Sequence, residues 1–145
     1  MYSIILAAVD GSDRSRGVLA AALEVAERFD AQVHLFRAVS VPPEFPAAAA
    51  AAPRDSLSDL LAKEARGLLV ELAAANPRVH VEDPDLTTPQ PWRAIIGAAA
   101  KVGADLIVVG SHGYGGWDHV LGTNAAKVAD RAERSVLVVH ERRAT

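Results

Sequence analysis

The glycine-rich segment at residues 110–122 is the part of the sequence best suited to binding an anion. It contains four glycines before it reaches Gly122-Thr123 at the start of a predicted helix, and it contains neither lysine nor arginine. Glycines let backbone N–H groups point inward and let an anion approach without meeting a Cβ atom. The helix start adds unpaired donors and the positive end of its dipole. We expect main-chain amides to hold a phosphate here, although glycines that serve only turns are the structural alternative.

A shorter acidic segment, Asp10-Gly11-Ser12, directly follows an apolar run at residues 4–9. A carboxylate at the end of a strand could contact a ligand, or it could only complement the positive end of the next helix. Both roles stay open at this point, and the Ser12 hydroxyl is placed to cap that helix. In the longer segment, His112 could contact a phosphate, but without further ligands at fixed spacing it does not define a metal site.

Apolar runs alternate with segments of helical periodicity along the whole chain, which predicts one α/β domain over residues 1–145 with a parallel sheet. A stretch with four prolines around an alanine run, residues 42–55, interrupts the pattern and predicts a mobile loop. Strands are expected at residues 4–9, 32–39, 78–82, 105–109 and 135–140, and helices at residues 13–29, 57–72, 91–101 and 124–132.

The two candidate segments follow the first and the fourth predicted strands. In an open α/β sheet, ligands bind beyond the carboxyl ends of the strands, where the strand order reverses. If the order reverses between these two strands, the acidic segment and the glycine-rich segment are neighbours and form one site.

Composition excludes several classes of protein. The chain has no cysteine, so disulfides, thiol nucleophiles and cysteine-based metal sites are excluded. The formal net charge is −3 and no basic stripe is visible, so we expect no nucleic-acid partner. No apolar stretch reaches the roughly 18 residues of a membrane helix and no secretion signal opens the sequence, so we expect no membrane insertion and a cytoplasmic location.

The order and spacing of several motifs resemble the universal stress protein family. The resemblance rests on Gly110-Ser-His-Gly113, on Gly122-Thr123 and on the apolar run at residues 136–139, with support from the opening strand and Asp10. It implies a doubly wound domain similar to the adenine nucleotide alpha hydrolases. The sheet would have five parallel strands in the order 3-2-1-4-5, with helices on both faces.

The resemblance also implies where an adenine nucleotide would lie. Asp10 would sit beside the ribose and the phosphates and could reach a Mg²⁺ ion through a water molecule. Main-chain groups of Ala38 and Val39 would meet the edge of the adenine, and Val109 and Gly110 would flank the ribose.

The phosphates of ATP would be held by Gly113, Gly122, Thr123 and Asn124. The segment between Gly113 and Gly122 has eight residues where the family pattern usually has nine, and Ala38 stands where valine is common. The full set of expected binding residues is Val9, Asp10, Gly11, Ser12, Ala38, Val39, Val109, Gly110, Ser111, His112, Gly113, Gly122, Thr123 and Asn124.

Three functions stay open at the level of sequence. The first is a stress-response protein that binds ATP with Mg²⁺ and regulates a partner, such as a transporter or a kinase. The second is an enzyme that slowly hydrolyses ATP or phosphorylates itself on this scaffold, although no phosphate-binding loop of the G-x-x-x-x-G-K-[S/T] type is present. The third is a family member that binds no nucleotide. The resemblance further implies a homodimer through the last strand, residues 136–140.

Overall fold

The computed structural model describes residues 1–39, 54–86, 89–111 and 122–141. Within these ranges five strands and four helices alternate along the chain. The strands are β1 (Ile4–Val9), β2 (Gln32–Arg37), β3 (Val79–Val81), β4 (Leu106–Gly110) and β5 (Ser135–Val139), and the helices are α1 (Ser15–Phe29), α2 (Arg54–Ala73), α3 (Pro91–Val102) and α4 (Thr123–Arg131).

The strands form one parallel sheet in the order β3-β2-β1-β4-β5, which confirms the predicted fold. The central strand, β1, pairs with β2 along its whole length, from Ile4 opposite Gln32 to Val9 opposite Arg37. On its other side β1 pairs with β4. The strand order therefore reverses between β1 and β4, so the acidic and the glycine-rich segments start from adjacent strands.

Both faces of the sheet are covered, which explains why β1 and β4 are continuous apolar runs. Because side chains alternate along a strand, each strand supplies two separate cores. One core lies between the sheet and helices α1 and α2; Ile5, Leu35 and Leu69 are fully buried in it. The other core lies under α3 and α4 and contains Leu6 and Ile107.

The first helix begins two residues later than the sequence predicts. Ser15 donates its amide to the Ser12 carbonyl at 3.0 Å, so residues 11–14 form a turn, and Arg14 takes the N-cap position. The expectation that the Ser12 hydroxyl caps this helix was wrong, since no side-chain cap bond forms. Instead the hydroxyl donates to Asp10 and accepts from the Arg14 amide.

The other boundaries follow the sequence closely. Gly103, with φ of 71°, ends α3 in the left-handed conformation that glycine adopts easily. β2 ends at Arg37, and Ala38 continues it only through an isolated bridge to Asp85. The predicted loop at residues 42–55 lies outside the described residues up to residue 53, and its last two residues belong to α2. In the part of the chain that can be described, no helix has the length and apolarity to cross a bilayer.

Candidate functional site

A cavity of about 350 Å³ lies beyond the carboxyl ends of β1, β2 and β4, where the strand order reverses. Ligand sites of open α/β sheets form at this position. Six of the nine elements and the segments that follow β1 and β2 contribute to its wall, which consists of Ala8, Val9, Asp10, Ser12, Arg14, Val18, Arg37, Ala38, Val39, Pro91, Ile95, Val109, Gly110, Asn124 and Ala125.

The turn after β1 fixes the Asp10 carboxylate at the mouth of the cavity. Its Oδ1 accepts the Ser12 hydroxyl at 2.5 Å and the Ser12 amide at 2.9 Å. The buried Ser15 hydroxyl lies 3.5 Å from the same oxygen and accepts the Gly11 amide at 3.1 Å. One carboxylate oxygen therefore organises the turn, and among the described contacts none occupies Oδ2.

Asp10 is an anion at neutral pH. Partial burial raises the pKa of this carboxyl, but the Ser12 hydrogen bonds and the charge of Arg14 lower it, and the net shift of the pKa is downward. Asp10 is the one acidic side chain among the described residues of the cavity wall, and a single carboxylate is enough for a protein to bind Mg²⁺. That ion usually takes one or two carboxylates and completes its shell with water and substrate phosphates.

The two ends of the glycine-rich segment meet at Ser111. The Ser111 carbonyl accepts the Gly122 amide at 2.8 Å, and the Ser111 amide donates to the Val139 carbonyl at 2.9 Å. Ser111 is itself buried. The Gly122 amide is thus used within the chain, and other donors must serve a phosphate in this conformation.

Those donors are available at the start of α4. The first amides of a helix have no intrahelical acceptor, and no side chain caps this one. The earliest intrahelical bond runs from Ala126 to the Gly122 carbonyl at 2.9 Å. Asn124 and Ala125, which precede that bond, line the cavity. The start of α4 therefore presents unpaired donors and a positive dipole end at the cavity.

The end of β2 forms the opposite side of the cavity. Ala38 and Val39 lie there as predicted, and the Val39 amide donates to the Asp85 carbonyl at 2.8 Å. This bond occupies the Val39 amide within the chain. Pro91 and Ile95 of α3 add an apolar surface beside it.

Two arginines that the sequence analysis did not identify also line the cavity. Arg14 is the N-cap residue of α1, and Arg37 is the last residue of β2. The Nε atom of each is buried without a hydrogen-bond partner among the described residues. The sequence analysis assigned no cationic side chain to the site, whereas the cavity wall contains these two. The analysis looked for cations inside the glycine-rich segment, whereas these two come from the neighbouring elements.

Most of the predicted binding residues that the structure describes are brought together. Gly11, Ser111, Gly122 and Thr123 lie beside the cavity without lining it, whereas His112 and Gly113 fall outside the described residues. Those that do line it are Val9, Asp10, Ser12, Ala38, Val39, Val109, Gly110 and Asn124.

Comparison with known proteins gives concordant results. A sequence model described as "Universal stress protein family" matches residues 1–140. The chain is 33% identical over 139 residues to universal stress protein A homolog 1 of Coxiella burnetii, covering 95% of this chain and 96% of that protein. It is 32% identical over 144 residues to universal stress protein MJ0531 of Methanocaldococcus jannaschii, covering 96% and 82%. The crystal structure of a universal stress protein in complex with cAMP matches with a TM-score of 0.63 and 26% identity, covering 96% and 97%.

Proposed function

The chain belongs to the universal stress protein family, and from this membership we propose that its cavity binds an adenine nucleotide, ATP together with Mg²⁺. The observation that carries the proposal is the meeting of the Asp10 carboxylate, the end of β2 and the start of α4 around one cavity. A solved relative binds cAMP, which supports an adenine ligand at the coarser level.

The size and chemistry of the cavity support a nucleotide. A volume of about 350 Å³ falls within the usual range of small-molecule sites, roughly 300–1,000 Å³. The apolar surface of Pro91 and Ile95 suits a flat base, and the polar groups of Asp10 and the α4 start suit a ribose and phosphates. In this arrangement the base lies toward Ala38 and Val39, and the phosphates lie between the turn after β1 and the start of α4.

We propose regulation through partner contacts rather than fast catalysis. The described cavity wall contains no lysine and no histidine, and its one carboxylate is a weak base because hydrogen bonds from Ser12 lower its pKa. ATP turnover approaching about 1 s⁻¹, the low end of ordinary enzymes, would contradict this. The regulated partner, for which a transporter or a kinase is suggested by the resemblance alone, and the cytoplasmic location stay predictions.

We propose that the protein forms a homodimer through residues 136–140. β5 is an edge strand that pairs only with β4 among the described strands, and the Leu137 side chain is 36% exposed on it. An apolar edge strand of this kind is a template for pairing with a second chain.

Calorimetry of Asn124→Asp tests the nucleotide site. A carboxylate at this position lies at the cavity but also complements the α4 dipole, so the fold is preserved while phosphate is repelled. We expect ATP affinity to fall at least tenfold, about 1.4 kcal/mol.

Asn76→Asp is the matched control for the same change. Asn76 lies in the turn before β3, at the opposite edge of the sheet, and its Oδ1 accepts the Arg78 amide at 3.0 Å, a role that aspartate can keep. Equal ATP affinity in wild type and Asn124→Asp would refute the placement of phosphate at α4. Absence of adenine nucleotide binding by the wild type would refute the function itself.

A further inference from the structure

We propose that Arg14 and Arg37 together bind the phosphate chain of the ligand, so that the cavity selects nucleotides by their charge. This inference rests on the proposed function and adds a specificity-determining pair of side chains to it. The argument starts from the unusual position of Arg37.

Arg37 occupies a position where the sheet would ordinarily place an apolar residue. Residues 33, 35 and 37 of β2 point to the same face, and Val33 and Leu35 are fully buried in the core beneath α1. Arg37 is only partly exposed, and its Nε is buried without a described hydrogen-bond partner. A buried N–H group without a partner is costly, so an anion that accepts its hydrogen bond is favoured.

Gly11 determines how the Arg37 guanidinium lies. A Cβ atom at Gly11 would be 2.7 Å from Cζ of Arg37 and 2.9 Å from each terminal nitrogen. These three nearly equal distances mean that the flat face of the guanidinium rests on Gly11. Because the N–H bonds of a guanidinium lie in its plane, they are directed along the cavity wall and not toward Gly11.

Arg14 supplies a second cation on the same side of the cavity. It lies in the turn that follows Asp10, and its Nε is also buried without a hydrogen-bond partner among the described residues. The charge of Arg14 acts on the Asp10 carboxylate and lowers its pKa, but no described ion pair joins Asp10 to either arginine, and its Oδ1 is bound by Ser12. Two arginines against one carboxylate leave the described wall with an excess of one positive charge.

The chemistry of the guanidinium group identifies the ligand class as phosphate. Arginine presents planar, forked donors that match two phosphate oxygens at once, and such charge-assisted hydrogen bonds are the strong ones. A site with net positive charge gains more from a ligand with more charges. We therefore expect affinity to increase from adenosine through AMP to ATP, and we expect cAMP, with a single charge, to bind more weakly than ATP.

Methionine substitutions at the two arginines test the inference by calorimetry. Arg37→Met and Arg14→Met keep a long apolar stem, which suits the buried surroundings and should preserve folding. Arg16→Met is the matched control, because Arg16 is exposed on α1 and outside the cavity wall. The ligands are ATP, adenosine and inorganic tripolyphosphate, which carries the phosphates without the base.

We expect each cavity variant to lose at least tenfold in ATP affinity and to lose tripolyphosphate binding, while adenosine affinity stays within twofold of wild type. Arg16→Met should match the wild type with all three ligands. Unchanged ATP affinity in both cavity variants would overturn the inference. So would an equal loss for adenosine and ATP, which would place the arginines against the base or in support of the fold.

The same titrations separate this inference from the proposed function. If the wild type binds ATP and the cavity variants bind it equally well, the nucleotide site survives and the role of the arginines is refuted. If the wild type binds neither ATP nor adenosine, the nucleotide function is refuted. In that case tripolyphosphate tests the two arginines separately. Tripolyphosphate binding by the wild type that is lost in Arg14→Met and Arg37→Met would support their role in binding phosphate. Absence of tripolyphosphate binding by the wild type would refute that role.

Discussion

The substitution Gly11→Ala tests the contact between Gly11 and Arg37 directly. Gly11 has φ of 83°, where any residue with a Cβ atom is strained, and a Cβ atom there would lie 2.7 Å from Cζ of Arg37. Gly11→Ala therefore has two separate effects: it strains the backbone, and it displaces the end of the Arg37 side chain. The chain contains a control substitution in which only the backbone strain acts.

That control is Gly103→Ala. Gly103 has φ of 71°, and a Cβ atom there would have no neighbour within 4 Å. Its substitution should reduce the free energy of unfolding by about 1–2 kcal/mol, the cost of the left-handed conformation for an ordinary residue. Gly11→Ala should cost the same strain and little more, because the atoms in its way are the far end of the flexible Arg37 side chain and can move aside. Displacement of the guanidinium should instead weaken ATP binding, whereas Gly103→Ala should leave ATP binding unchanged.

Urea denaturation and ATP calorimetry of the two variants, and of Gly11→Ala combined with Arg37→Met, separate the two effects. With the guanidinium removed, Gly11→Ala should no longer change ATP affinity, so the double-mutant cycle in ATP affinity should be non-additive. Either of two results refutes the reasoning: unchanged ATP affinity in Gly11→Ala, or a cycle that is additive in ATP affinity.

Three further predictions concern the carboxylate, the base and the edge strand. Because the folded-state pKa of Asp10 is lowered from 3.8, its contribution to stability is complete above that pH and is lost as the pH falls through the folded pKa. Urea midpoints of Asp10→Asn and wild type should accordingly differ at neutral pH and converge in acid, and a constant difference would argue against a charge effect. Ala38→Val adds two carbons of apolar surface at the end of β2 and, with one of them buried against the base, should raise adenosine affinity roughly fourfold by calorimetry, at about 0.8 kcal/mol per buried methylene; weaker binding would mean that the base lies elsewhere. Leu137→Lys places a charge on the exposed edge strand and should convert the proposed dimer to a monomer in sedimentation experiments, whereas a dimer that persists would exclude β5 as the interface.

Local patterns in the sequence were sufficient to predict the helices, the strands and their parallel pairing, whereas the strand order was implied by the family resemblance. Continuous apolar runs mark strands buried on both faces, and helical periodicity between them requires parallel pairing. Gly103 marked the end of α3 for a local reason as well, since only glycine adopts a positive φ without strain. The position of the cavity followed once two chemically distinctive segments were assigned to strands that become neighbours.

The arginines could not be predicted in the same way. Nothing near Arg37 in the sequence indicates that it faces Gly11, because the contact depends on the register that pairs β2 with β1 and on the positive φ at Gly11. The use of the Gly122 amide depends similarly on a bond to Ser111, a residue held by β5 through Val139. Such contacts join residues that are distant in sequence, and periodicity carries no information about them.

The hydrogen bond between Ser111 and Gly122 bears on the length of the segment between them. Both ends of this segment are fixed: Ser111 is bound to β5 through its amide, and Gly122 leads into the first turn of α4. A closed excursion of this kind can gain or lose a residue at its tip without moving the elements on which it stands. We therefore expect a spacing of eight residues, where the resemblance implies nine, to leave α4 in place, so that the amides at the start of that helix meet the cavity at the same position for either length.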